Sequence, residues 1–436
     1  MLETIIKAII FISLYILSFY ILALFKTQYK IKKIEKQPEV TIIIPAYNEE
    51  KGITRTIESC LKLKYSGKLK ILVVDDCSKD KTVQKVEKYL PHPQITLLKL
   101  KKNKGKAHAM NQALKKVNTE FFAVLDADSV IDKNSLKNAM PHFYLEREEP
   151  IGAVMSKLKP ENENKNFLER IQVIEYLVVG LLRALSASLR FLHIAPGVLS
   201  IYRTKVVKKI GGFDEKNLTE DFELGVRLKK RGYLIEYAHE SKVYTTTPSK
   251  FSNIIKQRIR WFRGFFRTHM KHKDIHFNKK HGLFGFYEFP LTVLGLFLLF
   301  TAVMILSYNI YRAIFEFLFK LIRTPDLIVW FEFRTVYEYL LTANIALIFP
   351  IALLILLMLF LIRTTIKFYE SDFFTKNLFK KFIALILYIM IYNYIYIYIV
   401  PRSLYLELKG KKYDWGTKKW KKTYSQKKKE KHSYYS

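Results

Sequence analysis

A chain of 436 residues, half of them hydrophobic, holds enough apolar material for one large core or for a core plus a membrane bundle. Its formal charge of +34, from 73 basic and 39 acidic residues, calls for anionic surroundings. Nucleic acid is set aside, because the basic residues are dispersed and no helix-turn-helix, zinc-finger or RNA-binding signature accompanies them.

In chain order, residues 4 to 25 form a nearly uncharged apolar run. Roughly 20 such residues cover the hydrocarbon core of a bilayer, so a transmembrane helix is expected within residues 1–26. A signal peptide fits less well, since the run is too long and no small-residue cleavage site follows it. The basic stretch KTQYKIKKIEK comes next, which places the following domain in the cytoplasm and suits anionic lipid headgroups.

Residues 38–250 read as a soluble domain. VTIIIPAYNEE opens with an apolar strand, then a polar turn and a helix from about Lys51 to Leu63. A second strand, KILVVDDCS, precedes a helix over 80–90. A third, ITLLKL, leads through a polar loop to a helix near 105–117, and a fourth, FFAVLDADS, ends in acids. Alternating strands and helices predict a mostly parallel sheet with helices on both faces, whose ligands bind beyond the carboxyl ends of the strands. Cys60 and Cys77 both fall inside this domain and read as buried thiols rather than a disulfide framework.

The polar residues collect at those strand ends. Tyr47, Asn48 and Glu49 follow the first, Asp75 and Asp76 the second, Lys104 and Lys106 the third, and Asp126 and Asp128 the fourth. Any one of them would pass as a turn or helix-cap residue; four segments converging on one edge point to a site. Neither a GxGxxG turn nor a GxxxxGK[ST] loop is present, so a nucleotide must be held by side chains and a metal. In an extended strand Asp126 and Asp128 would point the same way, and two close carboxylates call for a hard divalent cation shared with substrate phosphate. Ser78 or Asp80 would cap the helix after the second strand, leaving Asp75 or Asp76 for a base or ribose. Lys104 and Lys106, before a helix, favour anions.

LTEDFELGVRLKKRGY sets Glu220, Asp221 and Glu223 at the head of an amphipathic helix, where Glu223 suits the helix N-terminus. IKQRIRWFRGFFR interleaves Arg258, Arg260, Arg263 and Arg267 with aromatic residues, as an interfacial helix or a phosphate clamp would, within an interfacial region of 251–282. Three apolar runs, 286–308, 339–362 and 382–400, predict about three crossings over 283–400. An odd number puts the tail outside, yet residues 401–436 carry twelve basic and three acidic residues. A cytoplasmic tail is expected, with one late run interfacial or re-entrant, or with the stretch 312–335 entering the membrane.

PAYNEE, VVDDCS, NKGKAHAMN, DAD, GGFDEKNLTED and QRIRW, in this order over residues 40–262, resemble the membrane-bound processive family 2 glycosyltransferases. That group includes cellulose, hyaluronan, chitin and poly-N-acetylglucosamine synthases. The resemblance implies a GT-A fold and inverting transfer from a UDP-sugar. In those terms Ala46, Tyr47 and Glu49, with Asp75 or Asp76 and Lys106, line the uridine pocket. Asp128, helped by Asp126, carries Mg²⁺ or Mn²⁺. Asp221 is the general base with Glu220 orienting the site, and Gln257, Arg260 and Trp261 hold the diphosphate and the acceptor end. Cys77 and His108 stand where glycine is frequent in the group, and APGVLSIYR looks like its acceptor loop, shaped by Pro196 and Gly197.

The expected product is a β-linked polysaccharide made at the cytoplasmic face of the membrane, with export a further possibility of the same design. Single-sugar transfer to a polyprenyl phosphate or diglyceride is the second reading. A non-enzymatic membrane scaffold would have lost Asp128, Asp221 or Arg260, and all three are present.

Overall fold

The computed structural model describes residues 2–25, 34, 37–161, 166–323 and 392–410, with isolated helical positions between 352 and 388. The first apolar run forms α1 (Leu2–Phe25). The domain then opens with β1 (Val40–Ala46), α2 (Ile53–Leu61), β2 (Leu69–Asp75), α3 (Thr82–Glu87), β3 (Ile95–Lys99), α4 (Lys106–Lys116) and β4 (Phe121–Val124). These elements follow the expected alternation. β1, β2 and β4 are mostly apolar because both faces are covered, with Lys70 of β2 exposed. Ile42, Ile44, Ile71, Val73, Phe121 and Ala123 build one core layer, and the alternate residues Ile43, Leu72, Val74, Phe122 and Val124 build the other.

The second half adds β5 (Val130–Ile131), α5 (Ser135–Ala139), β6 (Ile151–Pro160), α6 (Phe167–Ser188), β7 (Ser200–Arg203), α7 (Thr204–Lys209), α8 (Glu220–Lys230) and β8 (Leu234–Thr245). The eight strands make one sheet in the order β3-β2-β1-β4-β7-β6-β8-β5. Four of its seven pairings are parallel, and β7 runs antiparallel to both β4 and β6. The topology changes direction beside β4, where a crevice opens at the strand ends.

α9 (Phe251–Lys271) and α10 (Phe289–Arg323) follow. Among the described residues, Phe167–Ser188 and Phe284–Ile305 are long and apolar enough to cross a membrane. The second falls in the expected run 286–308. The first, α6, packs on β6 and β8 and belongs to the domain. It starts from a capping box in which Asn166 Oδ1 accepts from Glu169 N at 2.9 Å and Glu169 Oε2 accepts from Asn166 N at 3.0 Å. The expected run 339–362, the part of 312–335 beyond Arg323 and the tail beyond Gly410 lie outside the described residues, apart from isolated positions.

The end of the run 382–400 has a second role. Helix Ile395–Leu408 packs Ile399 and Leu406 against Ile259 of α9, and Glu407 accepts from Arg263 at 3.1 Å and Arg267 at 2.5 Å. Leu408 therefore sits on the side of the sheet domain.

Candidate active site

At the head of α8, Asp221 is held by two backbone donors: Gly197 N at 3.1 Å and Phe222 N at 2.8 Å. A Cβ at Gly197 would stand 2.5 Å from Lys106 Nζ, so a side chain there would have to displace that amine. Ser200 Oγ donates to Pro196 O at 2.5 Å and closes the loop. Pro196 and Gly197 thus shape the wall facing Asp221.

β4 ends at Val124, so Asp126 and Asp128 do not lie on an extended strand. They occupy a turn in which Ser129 N donates to Asp126 O at 3.0 Å. α2 enters tightly over this turn, because a Cβ on Gly52 would be 2.8 Å from Asp128 Cα. Lys106, the first residue of α4, donates to Asp126 and lies 3.7 Å from Glu220, which is 2% exposed. Burial opposes the Lys106 charge, but Asp126, Glu220 and Asp221 outweigh it and raise its pKa. Burial raises the Asp128 carboxyl, and Asp126 adds to the effect. Burial also raises Glu220, against Lys106 and Arg260.

A cavity of about 540 Å³ gathers Lys106, Asp126, Asp128, Glu220, Asp221, Gln257, Arg260 and Trp261. Ala46, Tyr47, Glu49, Asp75 and Asp76 are not in its lining. They flank the ends of β1 and β2, where Asn48 bridges the two loops: its N donates to Ser78 Oγ at 3.0 Å and its Oδ1 accepts from Lys79 N at 2.8 Å. Asp75 accepts from Ser78 N at 3.2 Å, and Asp76 from Lys104 N at 3.1 Å and Gly105 N at 2.8 Å. Both expected nucleotide carboxylates therefore already brace the loops. Burial raises Asp76 in spite of those donors. Asp80 accepts from Thr82 N at 2.9 Å, as expected of a residue at that helix start. Lys106 stands with the acids of the cavity.

Several expectations for neighbouring residues change. Cys77 adopts φ 64°, a left-handed conformation that explains why glycine suits this position, and it is only half-buried, unlike Cys60. His108 Nδ1 lies 3.0 Å from Glu215 Oε2. Glu223 accepts from Arg227 at 2.8 Å, Lys271 at 2.6 Å and His272 at 3.1 Å, so it links α8 to the end of α9. Of the α9 arginines, Arg258 pairs with Glu175 at 2.5 Å, and Arg263 and Arg267 with Glu407. Arg260, the remaining clamp candidate, reaches Leu218 O through its Nη1 at 3.5 Å.

The sequence reading missed α6. Tyr176, Val179, Gly180 and Arg183 of α6 line the cavity, as do Tyr237 of β8 and Tyr396 of the C-terminal helix. Glu175 also accepts from Tyr392 Oη at 2.9 Å. The signal was present as a 3-1-3 spacing in EYLVVGLLR, hidden in an apolar stretch. Burial depresses the Arg183 guanidinium, with Tyr237, Tyr176 and Asp221 opposing.

Carboxylates on one sheet edge, a base-like aspartate across the cavity and a helix bearing Gln257 and Arg260 are the parts of a glycosyl-transfer site. The class is that of the glycosyltransferases. Residues 38–264 match the family described as glycosyltransferase like family 2, and the chain belongs to that family. It is 28% identical over 235 residues to the poly-beta-1,6-N-acetyl-D-glucosamine synthase of Staphylococcus aureus strain COL, covering 53% of this chain and 55% of that protein. The synthase of Staphylococcus epidermidis is 27% identical over 239 residues, covering 54% and 56%. The chain thus spans about half the length of the curated relatives it matches. The mannosyltransferase PcManGT from Pyrobaculum calidifontis, solved with GDP-Man and Mn2+, aligns with a TM-score of 0.58 at 17% identity, over 93% of this chain and 100% of that chain. That likeness places the sheet in the GT-A fold.

Proposed function

We propose that the chain is an inverting transferase that moves a sugar from a UDP-sugar to a growing β-linked polysaccharide at the cytoplasmic membrane face. The observation that carries this reading is the shared cavity. Asp221, fixed by Gly197 N and Phe222 N, lies in the same lining as Asp126, Asp128, Gln257, Arg260 and Trp261. In this reading Asp221 takes the proton of the acceptor hydroxyl as that oxygen bonds to the anomeric carbon, while the carbon–oxygen bond to the diphosphate breaks on the opposite face. Arg260 and Gln257 receive the departing UDP, and Trp261 offers a ring to the acceptor sugar. Ala46, Tyr47, Glu49, Asp75 and Asp76 take the uridine, and Glu220 holds Lys106 beside Asp126.

Asp126 and Asp128 are the residues that would hold Mg²⁺ or Mn²⁺. Among the described residues no group of three or more His, Cys, Asp or Glu forms a metal cage. Two carboxylates on one turn fit instead a cation that completes its shell with diphosphate oxygens. Such an ion supplies positive charge to the leaving diphosphate.

Transfer of one sugar to a lipid acceptor is the second reading, favoured by Tyr396 of the last apolar run lining the cavity. Purified protein given a panel of labelled UDP-sugars decides both. Long product supports the polymer, and a single added sugar on lipid supports the alternative. Asp221→Asn is expected to lower UDP release by about 10²–10⁴-fold with unchanged melting temperature; unaltered turnover rejects the base assignment.

A further inference from the structure

The inner wall of the cavity contains a cation that the transfer scheme above does not use. Tyr176, Val179, Gly180 and Arg183 form one stripe of α6, and Arg183 lies two turns, about 10 Å, beyond Tyr176. The start of the stripe is tied to α9 through Glu175 and Arg258. Further along it meets β8, where a Cβ on Gly180 would stand 3.4 Å from Tyr237 Oη. The absence of a side chain at Gly180 leaves room between that tyrosine and the helix.

A guanidinium stays charged in a protein and is costly to desolvate without an acceptor. The other cations of the lining have one: Lys106 has Asp126, Arg258 has Glu175, and Arg260 has Leu218 O. Arg183 makes no hydrogen bond or ion pair among the described residues, although it is half-buried. Asp221 shares this lining, and its charge bears on Arg183 together with those of Tyr237 and Tyr176. Arg183 and the base of the proposed reaction therefore line one cavity.

We infer that Arg183 is an anion subsite for the acceptor: it takes a phosphate or carboxylate carried by the molecule whose hydroxyl or phosphate oxygen faces Asp221. The planar fork of a guanidinium pairs bidentately with either oxyanion. Tyr176 and Tyr237 supply the walls around it. The inference rests on the acceptor reading of the Asp221 side. It adds that the acceptor, or its first unit, is anionic, from either of two sources: a polyprenyl phosphate or a uronate-bearing oligosaccharide.

Equilibrium binding to the full-length protein in detergent tests this without turnover. The probes are a short-chain polyprenyl phosphate, the matching neutral polyprenol, and an oligosaccharide with and without a uronate. In the unmodified protein, one anionic probe is expected to bind at least about tenfold more tightly than its neutral counterpart. The pair that shows the difference identifies the source. Arg183→Gln removes the difference and Arg183→Lys keeps most of it, while UDP affinity and melting temperature stay unchanged. Equal binding of charged and neutral probes by the unmodified protein overturns the proposal, whether or not the variants fold. So does an Arg183→Gln variant that retains the preference. Failure of the UDP-sugar reading shows separately, as no UDP released from any donor.

Discussion

Asp221 shows how little backbone is needed to aim a carboxylate. One N–H comes from its own helix start and one from a loop 24 residues earlier, so its position depends on how closely Gly197 approaches. Gly264 makes the same demand from the other side. A Cβ there would collide with Thr219 Oγ1 and stand 2.6 Å from Thr219 Cγ2, two residues before Asp221. Gly264→Ala is expected to cost about 1–3 kcal/mol through overpacking and to displace the start of α8, which carries Asp221. The check compares kcat with melting temperature; a large loss of stability with kcat unaffected contradicts the role in positioning. That Asp126 and Asp128 would stand in one site was legible as D-x-D spacing, and both line the cavity. That they sit on a turn was not, because a strand's last ladder bond depends on its neighbours.

Among the elements, α9 carries the largest revision. Its mixture of arginine and aromatic residues is compatible with a lipid interface or a phosphate clamp, and sequence pattern alone leaves both open. Tertiary packing assigns Arg258 to α6 and Arg263 and Arg267 to the C-terminal helix. α8 is joined to the end of α9 through Glu223. Burial alone would raise this carboxyl, but His272, Arg227 and Lys271 hold it at about 2. A depressed carboxyl contributes stability above its unfolded value of about 4.3, and the contribution fades as pH falls from there toward about 2. Glu223→Gln should therefore remove part of the acid-dependent loss of stability between those limits and lower stability near neutral pH. The neutral-pH cost is expected at about 1–3 kcal/mol, below that of a fully buried pair because Lys271 is 43% exposed. Melting curves from pH 7 to pH 3 test this; parallel curves for the two proteins contradict it.

Across the whole molecule, the C-terminal helix turns back onto the transferase domain. Tyr396 lines the cavity, Tyr392 bonds Glu175, and Glu407 pairs with two α9 arginines. Leu408 is thereby fixed on the domain's side, in keeping with the twelve basic residues of 401–436. A tag after Ser436 and a tag in a domain loop are expected to react with an impermeant reagent from the same side of sealed vesicles. Reaction from opposite sides rejects this arrangement.

The alternation of apolar strands with polar ends was enough to specify the first half of the sheet and the edge where its acids gather, because strand and helix periods are local properties. β6, β7 and β8 were not read as strands, and the antiparallel placing of β7 depends on pairings between residues as far apart as Phe121 and Arg203. The wall provided by α6 and the capture of three arginines by distant glutamates are long-range in the same way. A buried charge is satisfied by whichever opposite charge the completed fold brings within reach, and residue spacing along the chain holds no record of that partner.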